Sequence, residues 1–581
     1  MDTIEKHVIK SGGIKKAYKE LTNTKDWIVK IKNRKGESDC RRENILEVAT
    51  AYYKELFEIN TAEAEVELTD NADIPTILLT EVEHAIDMLR KEKALGPDGI
   101  SNDVIKGTKS VLTPVFTDLF NYIIRTEIIP QQWTKSNIVL LYKKGDQFNI
   151  GNYRPISLVS NIYKLFAKII LKRIEQTLDE QQPIEQAGFR KNFSVIDHIH
   201  VVRQILEKCT EYKLTYYLAF VDYSKAFDSL LHKNIWESLK AQGVEQKYIR
   251  LIRNVYEHST ACIQLERKGA HFRIQRGVRQ GDPLSPILFS AVLETIFRGF
   301  DWKDQGINID GRKLTHLRFA DDIVLISKTP QDLQGMLNDI ARESRKVGLK
   351  LNPEKTKLIT NGVKDPIKVG DTDITYSNEY VYLGQLISPD DNIIKEIERR
   401  IASGWRRYWN MKEIMKDKTL PLSIKGKLFN TSILPILTYG CQTWPSTELI
   451  KNKLKSCQLA MERSMHGVRK SDKIKSHTIR CRTKANDVVL CIKRLKWRWA
   501  GHTIRGKDKW SKLVTQWYPR EGKRKKGRPP RRWEDDIRQV AGKTWHRVAS
   551  NRREWKRLEE AFANWQTDLQ TLSKSQIVQT K

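Results

Sequence analysis

Ten consecutive residues, Leu317-Arg318-Phe319-Ala320-Asp321-Asp322-Ile323-Val324-Leu325-Ile326, constrain this chain more than any other stretch. Two short apolar runs flank a pair of adjacent carboxylates. That pattern predicts two buried strands with the acids at or beside a tight turn between them. Adjacent Asp side chains repel each other, and burying both without a cation is costly. A hard divalent cation removes the cost, and Mg²⁺ takes one or two protein carboxylates together with substrate phosphates. An Asp-Asp pair alone is most often a solvated turn, so the rest of the chain must decide.

A second strand-like run, residues 216–221, ends in Asp222 and continues Tyr223-Ser224-Lys225-Ala226-Phe227-Asp228. An Asp leaving a buried strand is a candidate metal ligand, or an N-cap for the helix that follows. Residues 133–141 read as a strand, followed by the basic turn Tyr142-Lys143-Lys144-Gly145-Asp146 and by Asn152-Tyr153-Arg154-Pro155-Ile156-Ser157-Leu158. Arg is a fixed bidentate fork and Lys a mobile point charge, so this hairpin suits a triphosphate as well as it suits solvent. The loop Arg276-Gly277-Val278-Arg279-Gln280-Gly281-Asp282-Pro283-Leu284-Ser285-Pro286 opens an apolar helix over 287–297. Glycine there permits close backbone approach and free N–H groups favour anions, while a loop capped by Asp282 or Ser285 is the plain alternative. After the Asp-Asp hairpin come an amphipathic helix over 330–347, the segment 348–357, and a strand and turn at Tyr380-Val381-Tyr382-Leu383-Gly384.

The flanking regions read differently. Residues 45–57 form an amphipathic helix in which nothing carries chemistry, and acidic, Ala-rich residues 60–75 read as a linker. Thr80 starts a helix in which Thr80, Glu81 and Glu83 resemble a capping box. Helices are expected over 162–178 and 197–208. Past residue 390 helices rich in Lys, Arg and Trp dominate, with 394–411 and 422–437 forming a bundle. Eight of the fifteen Trp lie at or after 497, interleaved with basic residues. Such interleaving suits phosphate neutralisation and base stacking, and Trp at helical spacing equally suits a core. Residues 520–532 are strongly basic and extended, fit for a minor groove, a nuclear localisation signal or a solvated linker. His477, Cys481, Cys491 and His502 lack the close-pair spacing of zinc sites, which speaks against zinc.

The formal net charge of +32 and pI of about 9.7 point to polyanionic partners, nucleic acid first. No run approaches the roughly 20 apolar residues of a membrane-spanning helix, so no membrane partner is expected. The first residues contain no apolar signal segment, and seven scattered cysteines suggest a reducing compartment, nucleus or cytoplasm.

Taken in order, these motifs resemble the reverse transcriptase of non-LTR (LINE-type, RTE-like) retrotransposons over about 85–470. Arg498-Trp499-Ala500-Gly501-His502 and the stretch from Gly527 to Trp533 resemble the C-terminal region of RTE-like elements. The resemblance implies an α+β right hand. It places fingers and palm at 85–387, a helical thumb at 388–470, a basic Trp-rich nucleic-acid-binding region at 471–581, and a helical N-terminal segment and linker at 1–80. It implies that Asp222 and Asp321, with Asp322 beside them, hold two Mg²⁺ ions, Mn²⁺ being an alternative. Phe227 would be the steric gate against a ribose 2′-OH, and Ala226 would line the nucleotide pocket. Gln280 and Gly281 would position nucleotide and template, and Lys143, Lys144 and Arg154 would clamp the triphosphate. Lys355 would protonate the leaving pyrophosphate, with Lys357 as competitor, and Tyr382-Leu383-Gly384 would form the primer grip. Lys523, Arg524, Lys525, Lys526, Arg528, Arg531 and Arg532 would bind nucleic acid. The implied partners are an RNA template, a DNA primer or target, and dNTPs. Elements of this kind usually carry an endonuclease ahead of the polymerase, and none is expected in this sequence. The rival readings are a catalytically silent nucleic-acid-binding remnant and a DNA-templated polymerase. The Phe-Ala-Asp-Asp and Arg-Gln-Gly-Asp-Pro contexts disfavour the latter.

Overall fold

The computed structural model describes residues 28–32, 36–59, 66–70, 72–390, 393–524, 526–527 and 530–564. It is α+β, as expected. The first elements that matter for the site are α1 (Arg42–Phe57), α2 (Leu79–Asp87), β1 (Lys135–Tyr142), β2 (Tyr153–Leu158), α3 (Asn161–Glu180), α4 (Val195–Tyr212), β3 (Tyr217–Val221) and α5 (Ala226–Ser229). They are followed by β4 (Thr260–Ile263), β5 (Phe272–Arg273), α6 (Ser285–Arg298), β6 (His316–Phe319), β7 (Asp322–Ser327), α7 (Pro330–Lys346), β8 (Lys357–Thr360), β9 (Tyr380–Tyr382) and β10 (Gln385–Ile387).

Two four-stranded sheets carry the site. The central one has the order β6-β7-β3-β8 and is antiparallel throughout, with Ile323 opposite Val221 and Val324 opposite Phe220. Ala219, Val221, Ile323, Leu325 and Leu358 point into a core shared with α3, α6 and α7. Leu218, Phe220, Val324, Ile326 and Ile359 point the other way, into a core that includes Val201 and Ile205 of α4. Both faces are covered, which is why these strands read as continuous apolar runs rather than alternating ones. Each buried Leu, Ile, Val or Phe contributes about 1.5–3 kcal/mol. The second sheet has the order β2-β1-β4-β5, and α1 covers one face by inserting Ile45, Ala49, Tyr53 and Phe57 against Ile138, Leu140, Ile263 and Phe272.

Several local expectations are corrected. The helix expected at Thr80 begins at Leu79, where the Glu81 carboxylate accepts the Leu78 N–H at 2.9 Å, so the box closes earlier than Thr80. Trp133 belongs to a helical turn and is buried, and the strand starts at Lys135. The described part of the expected linker is docked: Ile74 is buried, the Asp70 N–H donates to Gln246 Oε1 at 3.0 Å, and Arg253 donates to the Val66 carbonyl. Residues 60–65 and 71 of that expectation lie outside the described residues.

Beyond residue 390 the helices include α8 (Ile393–Trp409), α9 (Leu422–Ser432), α10 (Leu434–Leu437), α11 (Glu448–His466), α12 (Val488–Arg505) and α13 (Trp510–Gln516). The single helix expected over 422–437 breaks at Ile433, because Pro435 has no N–H to continue the ladder. An apolar cluster runs from Ile393 through α11 to Val488 and Val489 at the start of α12, across the expected boundary at 470. The C-terminal Trp residues are core. Trp497, Trp499, Trp510, Trp517, Trp533, Trp545 and Trp555 are buried, and Trp565 lies outside the described residues. Trp497 and Trp555 stack with centroids 3.8 Å apart, and each indole N–H donates to the other's backbone carbonyl at 2.8 Å. Buried Lys496 donates to the carbonyls of Trp444 and Trp533 and to Asp536 Oδ1 at 2.8 Å.

This region is docked on the back of the central sheet. Trp510, Val514 and Trp517 fill the core under β3 and β7, and Lys208 of α4 donates to the carbonyls of Val514, Thr515 and Trp517 at the end of α13. His200 of α4 sits between Trp499 and Trp533, at 4.5 and 4.6 Å from their centroids, and bonds Thr515 Oγ1 at 2.8 Å.

Candidate active site

Asp222 follows the last residue of β3, and Asp322 opens β7, the strand beside it. Since Val221 faces Ile323, antiparallel pairing brings Asp222, Asp321 and Asp322 to one end of the sheet. The β6–β7 turn is tight: Phe319 pairs with Asp322, leaving only Ala320 and Asp321 between them. Ala320 has φ of 57°, a left-handed conformation that costs a non-glycine residue energy and tends to mark functional turns. Gly188 allows this turn to be buttressed, because a Cβ there would lie 2.4 Å from the Ala320 nitrogen. On the strand before the turn, Arg318 is fully buried, paired with Glu294 of α6 at 2.7 Å and packed on the Phe297 ring.

Asp321 and Asp322 remain open to solvent, but dense protein surrounds them. Desolvation raises the Asp321 pKa, with Asp222 adding to the rise and Lys143 and Arg154 opposing it. Asp322 is pushed up to about 6, first by desolvation and then by the charges of Asp321 and Asp222. Among the described residues no three His, Cys, Asp or Glu side chains converge as a metal-holding group. The donor set still fits a hard cation: three carboxylates lie within electrostatic reach of one another, and Asp321 and Asp322 both resist carrying negative charge there alone.

The cations come from separate elements. Lys143 lies on the β1–β2 turn, its N–H donating to the Asn152 carbonyl at 3.0 Å, and Lys144 beside it is exposed. The Lys143 pKa is lowered by desolvation and by Arg154, against the pull of Asp222 and Asp321. Arg154 alternates outward on β2 between buried Tyr153 and Pro155. Asp222 is tied to the turn that carries Lys355: its carbonyl accepts the Asn352 N–H at 2.8 Å, and Asn352 Oδ1 accepts the Lys355 N–H at 3.2 Å. Lys357, the competitor, donates to Thr375 Oγ1 at 2.6 Å and is engaged there.

Helix α5 opens with Ala226 and Phe227, shortly after Asp222 in the chain, and follows Lys225 in a left-handed conformation with φ of 50°. Ala226 is buried, and Phe227 stacks on Phe289 with centroids 4.5 Å apart and meets Phe189 edge-on. The Gln280 carbonyl accepts the Ser157 N–H at 2.8 Å, and Gly281, at φ of 113°, lets the loop approach β2, since a Cβ would meet the Ser157 carbonyl at 3.0 Å.

Two residues here escaped the sequence reading. Asp228 is buried, its pKa pushed up to about 6 by desolvation, and it accepts Gln280 Nε2 at 2.7 Å, fixing that amide's orientation. Lys225 stands close enough to the same group to lower that pKa in part. The signal available was their position in the same short run as Phe227.

Tyr382 is buried, its ring 5.3 Å from that of Phe220. Leu383 and Gly384 form the turn, whose carbonyls accept from Tyr439 at 2.7 Å and from Arg399 at 2.6 Å, joining it to α8 and the helices behind it. In the basic segment, Arg524 and Arg532 both pair with Glu211 at 2.5 Å and are occupied. Arg531 donates to Gln539, Lys523 and Lys526 are exposed, and Lys525 and Arg528 lie outside the described residues.

The family described as reverse transcriptase (RNA-dependent DNA polymerase) matches residues 141–387, a span that includes Asp222, Asp321, Asp322, Phe227 and Gln280. A Caenorhabditis elegans protein named as transposon-derived is 33% identical over 269 residues, 43% of this chain and 96% of that protein. The chain belongs to the reverse transcriptase family. Among its relatives are the Pol polyprotein of retrotransposable element R2 from Nasonia vitripennis, 29% identical over 51% of this chain and 30% of that protein, and the RNA-directed DNA polymerase of the mobile element jockey from Drosophila funebris, 25% identical over 67% of this chain and 44% of that protein. The chain thus spans less than half the length of these two relatives. The telomerase of Candida tropicalis is 15% identical over 72% of this chain and 74% of that chain, with a TM-score of 0.37. None of this chain's described helices is long and apolar enough to cross a membrane.

Proposed function

We propose that the chain is an RNA-directed DNA polymerase of a non-LTR retrotransposon, extending a primer 3′-OH with dNTPs on an RNA template. The observation that carries this reading is the placement of Asp222, Asp321 and Asp322 at one end of the palm sheet, with Lys143 and Arg154 near enough to shift the proton affinities of Asp321 and Asp322. Asp222 and Asp321 would hold two Mg²⁺ ions, with Asp322 beside them, and the ions would supply positive charge at the reacting phosphate.

The remaining work falls to the chain's own side chains. Lys143 and Arg154 bind the triphosphate, the Arg as a fork and the Lys as a point charge. Phe227, braced by Phe289, closes the space where a ribose 2′-OH would sit. Gln280, its amide nitrogen held by Asp228, turns its carbonyl oxygen toward the nucleotide. Lys355 carries the proton that the leaving pyrophosphate needs. Positioning and fixed charge supply most of the acceleration. The finger hairpin and the exposed Lys523 and Lys526 attract the phosphates of a hybrid duplex without reading sequence.

Primer extension on RNA and DNA templates, with Mg²⁺ and dNTPs, tests this beside Asp321→Ala. The expected outcome is extension on RNA that falls about 10³-fold in the variant, with RNA affinity and melting temperature preserved. A folded native protein that binds RNA without extending a primer would be a silent remnant. Extension on DNA alone would make it a DNA-templated polymerase.

A further inference from the structure

Helix α1 lies outside the region matched to the family, yet it reaches the active site. Its Tyr53 hydroxyl donates to the Tyr153 carbonyl at 3.1 Å, and Tyr153 immediately precedes Arg154. Lys225 Nζ points to the same carbonyl at 3.5 Å, the limit of a hydrogen bond. The ammonium also sits over two rings of α1, 5.3 Å from the Tyr52 centroid and 5.8 Å from that of Tyr53. These contacts are a neutral carbonyl and two π faces, which orient a cation without neutralising it. A lysine ammonium has three donors, and the carbonyl takes at most one.

The charges around Lys225 are mixed. Burial is the first cause that disfavours its protonated form; Asp228 favours that form, and Lys355 and Lys143, from two other elements, disfavour it. Asp228 is itself buried and bonded to Gln280. Lys143 and Lys355 therefore bring like charge toward Lys225 from two other elements. An anion seated among these cations relieves the repulsion, and a polyphosphate chain matches cations presented from several directions.

We propose that Lys225 is a further phosphate-binding residue of this site, and that α1 is part of the nucleotide site because Tyr52 and Tyr53 hold that ammonium in place. The inference rests on the reading of the site as a nucleotide site, and it adds the helix that positions the cation. Tyr53 is a positioning residue: it acts through Lys225 and through the Tyr153 carbonyl.

The test uses the full chain with inorganic tripolyphosphate as probe, without added metal, followed by calorimetry, together with dNTP titrations of primer extension. Lys225→Met is expected to weaken tripolyphosphate binding about tenfold and to raise the KM for dNTP by a similar factor, with kcat and primer–template affinity little changed. Lys225→Arg retains the charge and is expected to stay within about threefold of the native protein. Tyr53→Phe, which keeps the ring and removes the hydroxyl, should raise KM by a smaller factor. Equal tripolyphosphate affinity in native protein and Lys225→Met overturns the proposal, as does an equal loss in the Met and Arg variants, which would mark a packing role. Tripolyphosphate binding through Lys225 in a protein that extends no primer would leave the anion site standing and remove the polymerase reading. Extension with an unchanged KM in Lys225→Met would do the reverse.

Discussion

The palm site and the C-terminal region are both rich in cations and aromatic rings, and the two use them in opposite ways. Around the carboxylates, Lys143, Arg154, Lys225 and Lys355 come from separate turns and strand ends, and their influence on one another is repulsive. In the C-terminal region, Lys496 is closed off by two carbonyls and Asp536, Lys493 by the Ala563 carbonyl, Lys509 by Asp197, and Arg524 and Arg532 by Glu211. The aromatic rings divide similarly. Phe227 is half-exposed beside Phe189 and Phe289, whereas Trp497, Trp533 and Trp545 are among the most completely buried side chains of the described residues. A basic, aromatic composition therefore marks a binding surface only where the cations keep unsatisfied donors.

The sharpest way to break this comparison is to truncate one ring from each region. Trp533→Ala should cost about 3–5 kcal/mol, seen as a large fall in melting temperature, with no change in nucleotide choice. Phe227→Ala should leave the melting temperature nearly intact and raise incorporation of ribonucleotides over deoxyribonucleotides about 100-fold. If Trp533→Ala weakened RNA binding at unchanged stability, the C-terminal rings would be a stacking platform and the contrast would fail.

Charge gives the next test. Asp228 has its folded-state pKa raised to about 6 by burial. The folded protein therefore takes up that proton more readily than the unfolded chain, and the group opposes folding increasingly as pH climbs from about 4 to about 6. Asp228→Asn should raise stability by about 2 kcal/mol at pH 7.5 and by almost nothing near pH 4, as melting curves at the two values will show. The same variant should disturb Gln280 and lower nucleotide affinity. An Asp228→Asn protein less stable than native at pH 7.5 would mean that the carboxylate is fully compensated. The smallest effect is expected at Lys523 and Lys526. Replacing both with Ala should make RNA binding less sensitive to salt, the slope falling by about one unit for each phosphate that a lysine had neutralised, without altering the melting temperature.

Much of the site was legible because its chemistry sits at the ends of apolar runs. Leu317 to Ile326 and Tyr217 to Asp222 announce three buried strands with acids at their ends, and the sheet pairs them side by side so that the acids share one end. What stayed hidden depended on contacts across long stretches of chain. Nothing local in Tyr52 and Tyr53 says that their rings will meet Lys225. The spacing of Tyr382 does not reveal which side of the hairpin it takes. Charge patterning could not separate Arg532, clamped by Glu211 from α4, from Lys523, which is exposed. The break at Ile433 was visible in Pro435 and was outweighed by the apolar periodicity on either side.

The docking of α13 and Trp533 on α4 bears on how the molecule is made. His200 meets Thr515 across a separation of 315 residues, and Lys208 meets the end of α13 across more than 300. During synthesis the chain emerges from its N-terminal side, so α4 and the rear of the palm leave the ribosome long before the segment that covers them. Until then Val201, Ile205 and the apolar undersides of β3 and β7 lack Trp510, Val514 and Trp517 as cover, and the nascent palm presents a sticky face. Variants shortened within 510–533 should therefore accumulate as aggregates or chaperone clients. Inactivity in such variants would report failed folding before it reported any role of the missing segment in holding RNA.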